Sequence, residues 1–455
     1  MRNLLILGGG ESGVGAALLA QKHAITCTVS DAGSLKSHFR EELLQAHIPF
    51  EEGGHSEEVL LSATLVVKSP GIPDDAPIIM SLHERGIEVI SEIEFAYRLL
   101  PSTQRPVLIG ITGSNGKTTT VGWITHLLKK GGFDAVQCGN VGRSFARLLA
   151  EEPLHSHYCI ELSSFQLDGM PSFRPDVAIL LNITADHLDR YQYSIANYAQ
   201  SKVSIARNMQ KGDLLVYWGD CPLTEKFLPS VRPYLSAAFS TQREPCITPK
   251  AFLSGDTIQI HNADDELIFT YPVSSLALSG EHNIQNSMAS LLAAFHLGVS
   301  VPSVEDGLKS FVNVPHRLEL VATIDDVDYI NDSKATNIDA ARYALSAQQR
   351  PVILILGGTD KGNDYSTIAA LVKEKCKALI FLGVDNDKLH KAFDHIIART
   401  ADARSMKDAI AIAAVISSPG DVVLLSPCCA SFDLFKNYED RGDQFRSYAQ
   451  TLQKQ

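Results

Sequence analysis

The feature that most constrains this chain is a glycine-containing loop between an apolar run and a helical stretch. Residues 106–111 read as a buried strand, residues 119–130 as a helix, and residues 112–118 between them are Thr-Gly-Ser-Asn-Gly-Lys-Thr. A loop in this position aims backbone N–H groups at one point, where the positive end of the helix dipole and Lys117 attract phosphate. The hydroxyl of Thr118 is a typical ligand for Mg²⁺ beside that phosphate. The segment therefore predicts a unit that binds a nucleoside triphosphate.

This loop departs from the general P-loop pattern at one position. Ile111 stands where the first glycine of G-x-x-x-x-G-K-[ST] is expected, so the matching core is shorter than usual. Its placement between a strand and a helix is what favours nucleotide binding over a plain turn. The residues expected to bind the nucleotide are Gly113, Ser114, Asn115, Gly116, Lys117, Thr118 and Thr119.

Length and composition set the class of protein. The chain has 455 residues and a formal net charge of -12, which suggests about three domains of ~150 residues. The acidic balance argues against nucleic acid as a partner. No apolar run approaches the ~20 residues that span a bilayer, so we expect no membrane insertion. Eight cysteines without C-x-x-C spacing indicate reduced thiols in a cytoplasmic enzyme.

The order of predicted elements indicates an α/β protein of three domains. Apolar strands alternate with helices at both ends of the chain, which is typical of doubly wound parallel sheets, and residues 101–106 separate the first region from the second. We expect a Rossmann-like domain over 1–100, a central P-loop-type ATPase domain over 101–312 and a Rossmann-like domain over 313–455. Within the central domain, residues 214–271 read as shorter β elements and residues 284–297 as an alanine-rich helix. The other predicted strands are 3–7, 26–30, 65–68, 158–160, 177–181, 328–330, 352–356, 378–382 and 422–425, and a further helix is 14–23.

A second glycine motif lies at the start of the chain. Residues 8–13, Gly-Gly-Gly-Glu-Ser-Gly, fit G-x-G-x-x-G after a strand, and Asp31 ends the next strand about 20 residues later. This pattern is typical of dinucleotide binding. Physically it asks only for a diphosphate on the helix N-terminus and a hydrogen-bonding group near Asp31. A UDP-sugar satisfies it as well as NAD does, and a turn without a ligand remains an alternative.

Further polar groups follow the strands of the second and third regions. Glu161 ends a strand in the ATP-loop domain, where such folds place an acidic Mg²⁺ ligand. His187 follows another strand and is a metal candidate, whereas Lys202 on a predicted helix reads by composition as a surface lysine. In the third region, Arg317 and the polar runs 331–337, 357–362 and 426–431 suit a carboxylate- or phosphate-bearing ligand.

Together these motifs resemble the Mur ligase family of ATP-dependent amino-acid-adding enzymes. The resemblance covers essentially the whole chain, and that family's loop also lacks the first P-loop glycine. The motifs that carry it are residues 112–118, 161–166, 182–187, 279–283, 315–317, 331–337, 426–431 and 433–442.

The resemblance implies that ATP activates the alanine carboxylate of UDP-N-acetylmuramoyl-L-alanine as an acyl phosphate, which the amine of D-glutamate attacks. It implies two Mg²⁺ ions and a monomeric enzyme of peptidoglycan precursor synthesis. The implied catalytic residues are Lys117, His187 and a carbamylated Lys202; the metal ligands are Thr118, Glu161, His187 and Lys202. Further nucleotide contacts are Asn286, Arg317 and Asp332, and contacts to the UDP-substrate are Ser12, Asp31, Gly71, Asn140 and Ser163. Contacts to D-glutamate are Lys334, Thr336, Lys361, Ser431 and Tyr438, the last standing where we expect a phenylalanine.

Three other functions remain open on the sequence. A relative could add L-alanine, a diamino acid or a glutamate of folate, although the Asp-Asn-Pro-Arg motif of diamino-acid-adding relatives is absent. An NAD-dependent dehydrogenase with an incidental P-loop would turn over NADH. A non-catalytic regulator would bind ATP without hydrolysis stimulated by an amino acid.

Overall fold

The computed structural model describes residues 3–278, 280–313, 315–360 and 362–452. The chain folds into two compact units. Unit 1 comprises Met1–Leu276 and Gln285–Phe311, and unit 2 comprises Ala277–Ile284 and Val312–Gln455. The predicted α/β class is confirmed, with two sheets in unit 1 and one in unit 2.

The first sheet of unit 1 is five-stranded and parallel, in the order β3-β2-β1-β4-β5. Its central strands β1 and β4 are buried along their whole length, as parallel strands covered on both faces are. The elements are β1 Leu4–Leu7, α1 Glu11–Lys22, β2 Cys27–Asp31, α2 Ser37–Gln45, β3 Phe50–Glu52, α3 Glu57–Ser62, β4 Leu65–Lys68, α4 Pro77–Glu84, β5 Glu88–Ser91 and α5 Glu92–Arg98.

The second sheet has nine strands in the order β14-β13-β12-β11-β10-β9-β6-β8-β7. Only the pairs β12–β13 and β13–β14 are antiparallel. The elements are β6 Val107–Thr112, α6 Lys117–Lys130, β7 Ala135–Gly139, α7 Phe145–Glu151, β8 His157–Glu161, α8 Ser164–Asp168, β9 Val177–Leu180, α9 Ile195–Val203, β10 Leu214–Trp218, α10 Pro222–Phe227, β11 Leu235–Ser240, β12 Lys250–Ser254, β13 Thr257–His261, β14 Leu267–Pro272, α11 Glu281–His296 and α12 Val301–Ser310, with 3₁₀ helices at Leu188–Tyr191, Ser204–Ala206 and Val273–Ser275.

The register of this sheet positions the candidate site. Ile111 pairs with Glu161 on one neighbouring strand and with Ile179 on the other. Parallel neighbours end at the same edge of a sheet, which is where ligands of open α/β folds bind. The loops after β6, β8 and β9, far apart in sequence, therefore lie side by side.

Unit 2 is built on a six-stranded sheet in the order β15-β16-β20-β17-β18-β19, parallel except for β15–β16. Strand β17 is buried at every position, and β20 beside it is too. The elements are β15 Glu319–Ile324, β16 Val327–Asn331, α13 Ile338–Ser346, β17 Val352–Leu356, α14 Ser366–Lys375, β18 Cys376–Leu382, α15 Asp387–Phe393, β19 Thr400–Ala403, α16 Met406–Ile416, β20 Val422–Leu425 and α17 Tyr438–Leu452.

The strands predicted at 65–68, 352–356 and 422–425 have the predicted bounds, and the other predicted strands differ by one or two residues. Helix α6 starts at Lys117, two residues before the predicted start, because Gly116 in the left-handed conformation opens the helix at once. Edge strands β3, β5, β15 and β19 were not predicted, since their residues are partly exposed. Among the helices of the described residues, none has the length and apolar character needed to cross a membrane.

Candidate active site

The loop between β6 and α6 contains a glycine in a backbone conformation that other residues rarely adopt. Gly116 is the N-cap of α6 with φ +87°, a left-handed conformation that favours glycine. A Cβ built there would lie 2.4 Å from Oδ1 of Asn286. Asn286 is 3% exposed, and its Nδ2 is a buried donor without a hydrogen-bond partner among the described residues. The predicted nucleotide contact Asn286 thus lies directly against the loop.

A second loop, after β9, holds the first in shape. The N–H of Ser114 donates to the carbonyl of Asn182 at 2.8 Å, and the N–H of Asn115 donates to Oδ1 of Asn182 at 2.8 Å. The Ser114 hydroxyl donates to the carbonyl of Thr184 at 2.9 Å. Two loop N–H groups therefore bind protein oxygens, and Asn182 acts as a brace for the loop.

Lys117 folds back over its own loop. Its Nζ donates to the carbonyl oxygens of Gly113 and Ser114 at 2.8 and 2.9 Å. These bonds keep the ammonium at the N-terminus of α6, where its charge adds to the helix dipole. The arrangement concentrates positive charge where the sequence predicts the phosphates.

Two oxygen ligands for a divalent cation meet beside the loop. The Thr118 hydroxyl donates to Oε2 of Glu161 at 2.7 Å, and both residues are buried. Oε1 of Glu161 accepts from Nδ2 of Asn140 at 3.3 Å. A hydroxyl and a carboxylate at a phosphate-binding loop fit Mg²⁺, which prefers oxygen ligands together with substrate phosphates.

Lys202 is not the surface lysine that composition indicated. It is 2% exposed, its Nζ donates to the carbonyl of Gly113 at 2.9 Å and lies 4.6 Å from the ring centroid of Tyr198. Burial, and then the charge of Lys117, lower the pKa of Lys202 well below its usual value. The hydrogen bond to Gly113 places Lys202 against the loop after β6, which local sequence does not reveal.

His187 adopts a left-handed backbone with φ +52°. Its side chain is 40% exposed, its Nε2 lies 3.8 Å from Oδ1 of Asp186, and its ring packs edge-on against Phe165. Within the described part of the chain, no three His, Cys, Asp or Glu side chains form a metal-binding group. The set of Thr118, Glu161, His187 and Lys202 as metal ligands therefore remains a prediction.

The residues predicted for the UDP-substrate lie at strand and helix ends of unit 1. Asp31 accepts N–H bonds from Gly9 at 2.6 Å and Gly33 at 2.8 Å. Ser12 lies in the first turn of α1. Ser163 is the N-cap of α8 in a capping box.

Arg190, which was not predicted from the sequence, lies beside some of these residues. Its guanidinium lies 4.5 Å from the ring centroid of Phe165 and donates to the carbonyls of Gly71 and Ile72 at 3.5 and 3.2 Å. It thus links the loop after β4 to the segment that follows His187. The preceding Asp-His-Leu-Asp run drew attention to the histidine, and nothing local marked the arginine.

In unit 2, Asp332 is a buried carboxyl at the end of β16. Its oxygens accept from the Ser426 hydroxyl at 3.0 Å and the Leu318 N–H at 3.3 Å. Burial raises the pKa of Asp332 to about 7, which the Arg317 charge opposes. Nε of Arg317 is buried and unpartnered among the described residues. The structure thus brings Arg317 and Asp332 together.

The residues predicted for D-glutamate also lie in unit 2. Nζ of Lys334 lies 5.4 Å from the ring centroid of Tyr438, and Ser431 is buried. Thr336 follows in the same loop as Lys334, with its N–H donating to the Lys334 carbonyl at 2.9 Å. Lys361 lies outside the described residues.

Arg441, a buried arginine that the sequence analysis missed, joins two of these loops. It is 1% exposed, and its guanidinium donates to Oγ and the carbonyl of Ser333 and to the carbonyl of Cys429 at 2.9 to 3.2 Å. The loops after β16 and β20 are therefore tied to α17. An arginine within a polar helix gives no local sign of this burial.

Comparison with models of known families shows which protein family this chain belongs to. Three family models match the chain: the Mur ligase MurD-like N-terminal domain over residues 2–91, the Mur ligase middle domain over 111–294 and the Mur ligase glutamate ligase domain over 316–429. The chain belongs to the Mur ligase family, as the sequence motifs led us to expect.

The chain is also similar to individual proteins, among them one curated relative and two solved structures. The chain is 49% identical to UDP-N-acetylmuramoylalanine–D-glutamate ligase from Porphyromonas gingivalis, over 98% of this chain and 97% of that protein. In fold it is similar to UDP-N-acetylmuramate-alanine ligase MurC from Thermotoga maritima, with TM-score 0.62, 18% identity and coverage of 100% and 99% of the two chains. It is also similar to MurF ligase from Thermotoga maritima solved in complex with ADP, with TM-score 0.61, 15% identity and coverage of 94% and 96%.

Proposed function

We propose that this chain uses ATP to join D-glutamate to UDP-N-acetylmuramoyl-L-alanine, through an acyl phosphate, in peptidoglycan precursor synthesis. The observation that carries the proposal is the cluster of half-buried Lys117 with buried Thr118, Glu161 and Lys202 around the loop after β6, in a chain nearly half identical to a ligase named for this reaction. The bound ADP of the MurF structure supports ATP as the activating nucleotide.

The chemistry explains why a phosphate-binding loop is needed. A carboxylate is a poor acyl donor because its leaving group would be oxide. An oxygen of the alanine carboxylate attacks the γ-phosphorus of ATP, the bond to the bridging oxygen breaks, and ADP leaves. The amine of D-glutamate then attacks the acyl carbon and loses a proton, and phosphate departs. Because several anions converge, oriented positive charge at Lys117 supplies the main stabilisation.

Thr118 and Glu161 are the residues that would hold Mg²⁺ at the loop. When bound, this ion neutralises negative charge on the phosphates of ATP. The chain itself contributes a preformed pair of oxygen ligands, since the hydroxyl and the carboxylate already lie 2.7 Å apart.

A carbamate on Lys202 would add ligands for the second Mg²⁺, together with His187. A buried ammonium beside Lys117 is unfavourable, because two like charges share a partly desolvated region. The neutral amine attacks the carbon of CO₂, a C–N bond forms, one C=O electron pair moves to oxygen, and a proton leaves. The product carries a negative charge and two oxygen ligands, which suit a hard cation.

The remaining assignments follow the family. Ser12, Asp31, Gly71, Asn140 and Ser163 would contact the UDP-substrate; Lys334, Thr336, Lys361, Ser431 and Tyr438 would contact D-glutamate; and Asn286, Arg317 and Asp332 would contact the nucleotide. A cytoplasmic location, a monomeric state and the absence of a nucleic-acid partner complete the proposal.

ATP hydrolysis assayed with UDP-N-acetylmuramoyl-L-alanine tests this function. ADP release should depend on D-glutamate and should be much slower with L-glutamate or L-alanine. Stimulation by another amino acid would assign a different member of the family. Turnover of NADH, or ATP binding without any stimulated hydrolysis, would overturn the proposal.

A further inference from the structure

The N-terminus of helix α7 receives two carboxylates from helices of the first sheet. The Ser144 N–H donates to Oε1 of Glu11 at 2.9 Å, and the Ala146 N–H donates to Oε1 of Glu92. Carboxylates in these positions satisfy N–H groups that a helix leaves unpaired in its first turn. These bonds join α7, which belongs to the second sheet, to two helices of the first sheet.

Arg147, one residue further along α7, completes this junction. It is 7% exposed, and its Nε donates to both carboxylate oxygens of Glu11 at 2.9 and 3.0 Å. Its Nη1 donates to Glu42 on α2 and to Glu151 on α7, at 2.8 Å each. One buried guanidinium therefore binds carboxylates from three helices, two of them attached to the first sheet.

The position of Glu11 gives this junction a bearing on the ligand. Glu11 is the first residue of α1, directly after the three-glycine turn and next to Ser12. A helix N-terminus favours an anion such as a diphosphate, whereas a carboxylate in its first turn repels one. The bifurcated hydrogen bond from Nε of Arg147 offsets the charge of that carboxylate and holds it against α7.

We propose that Arg147 is a positioning residue for the UDP-substrate. By binding Glu11, it fixes the glycine turn at residues 8–10 against the loop at residues 140–144 and offsets the negative charge at the start of α1. The inference rests on the proposed function, in which Ser12 and Asn140 contact the UDP-substrate from these two segments.

The test measures the affinity for UDP-N-acetylmuramoyl-L-alanine by calorimetry and the KM of each substrate by ADP release. Arg147→Gln should weaken binding of the UDP-substrate, and raise its KM, about tenfold. The KM values for ATP and D-glutamate should stay within about twofold, because their predicted contacts lie elsewhere. Lys22→Gln is the matched control: Lys22 joins the same two helices at their other ends by donating to the Leu149 carbonyl, and its loss should leave the affinity unchanged.

A double variant separates charge neutralisation from simple packing. Arg147→Gln leaves the Glu11 carboxylate without its cationic partner. If that carboxylate then repels the ligand, combining Arg147→Gln with Glu11→Gln should recover most of the lost affinity. Equal loss in the single and double variants, or unchanged affinity in Arg147→Gln, overturns the inference. Should Arg147→Gln fail to fold, Arg147→Lys, which keeps the charge but not the bifurcated Nε bond, should weaken binding by less than about tenfold in the same assay, and unchanged affinity there overturns the inference. Calorimetry needs no turnover, so a wild-type chain without D-glutamate-dependent ADP release would refute the proposed function and still leave this inference measurable.

Discussion

Unit 1 contains two glycine loops that take similar places in the fold but differ in the charge of the residue that begins the following helix. Each follows a buried parallel strand and opens a helix, α1 after β1 and α6 after β6. At the second loop, Lys117 and Thr118 begin the helix and no acidic residue lies in the first turn. At the first loop, Glu11 begins the helix and is bound by Arg147.

The comparison shows what a glycine motif does and does not specify. Glycines set a backbone path that brings N–H groups to a helix N-terminus, and both loops share this. The charge of the first turn differs between them: Lys117 makes the start of α6 cationic, whereas Glu11 at the start of α1 is bound by Arg147. The N-terminal motif resembles a dinucleotide fingerprint because it encodes only the shared part.

Removing the charge from the ATP loop should have the largest effect. Lys117→Ala should lower turnover by ~10²-fold or more, because an oriented cation at a phosphoryl-transfer site is removed. Calorimetry should show near-normal affinity for the UDP-substrate, because Lys117 is not among its proposed contacts. Lys129→Ala, at the exposed end of the same helix, serves as the control. Near-normal turnover of Lys117→Ala would contradict the assignment of the loop.

Lys202→Ala should also lose most activity, on the order of 10²-fold, if its carbamate is a metal ligand. Short-chain carboxylic acids should restore part of the activity, since they can occupy the space left by the side chain. The measurement is ADP release with and without added acetate or propionate. Full activity of the variant without additive would exclude the carbamate, as would a bare ammonium at Lys202 in a metal-bound crystal structure.

Buried Glu92, which binds the N-terminus of α7, should make the free energy of unfolding depend on pH. Burial raises the pKa of Glu92 to about 8, from an ordinary value of 4.5. The folded chain therefore keeps a proton that the unfolded chain releases, so this stabilisation is complete below pH 4.5 and is lost as the pH rises towards 8. Glu92→Gln should reduce this loss of stability, so that its free energy of unfolding at pH 8.5 exceeds that of wild type by a few kcal/mol. Urea unfolding at pH 5.5 and 8.5 measures these free energies, with Glu84→Gln at an exposed position as control.

The smallest expected effect compares the two helix N-caps directly. Gly116→Ala places a Cβ at positive φ and 2.4 Å from Oδ1 of Asn286, which should cost about 1–2 kcal/mol of unfolding free energy and raise the KM for ATP. Gly10→Ala has φ -87° and no atom within 4 Å of the new Cβ, so it should cost about 0.5–1 kcal/mol. Chemical denaturation of both variants provides the test, and an equal cost would show that the left-handed cap adds no strain.

Much of the fold could be read from local pattern. The apolar run at 352–356 and the turns that bound it predicted strand β17 with the observed ends, because a strand buried on both faces is apolar at every position. The pattern around residues 112–118 likewise predicted a loop between a strand and a helix, as β6 and α6 show. Edge strands such as β19 escaped prediction, because their partly exposed residues carry no such run.

The sequence by itself determined the buried strands, the two glycine loops and membership of the Mur ligase family, since these depend on neighbours within a few residues or on motifs kept in order along the chain. Tertiary structure alone decided that Lys202 is buried against the loop after β6, that Arg441 joins two loops of unit 2 and that Arg147 binds Glu11. The physical reason is sheet order. Strands that are distant in sequence become neighbours, and the burial, charge and pKa of a side chain depend on those neighbours.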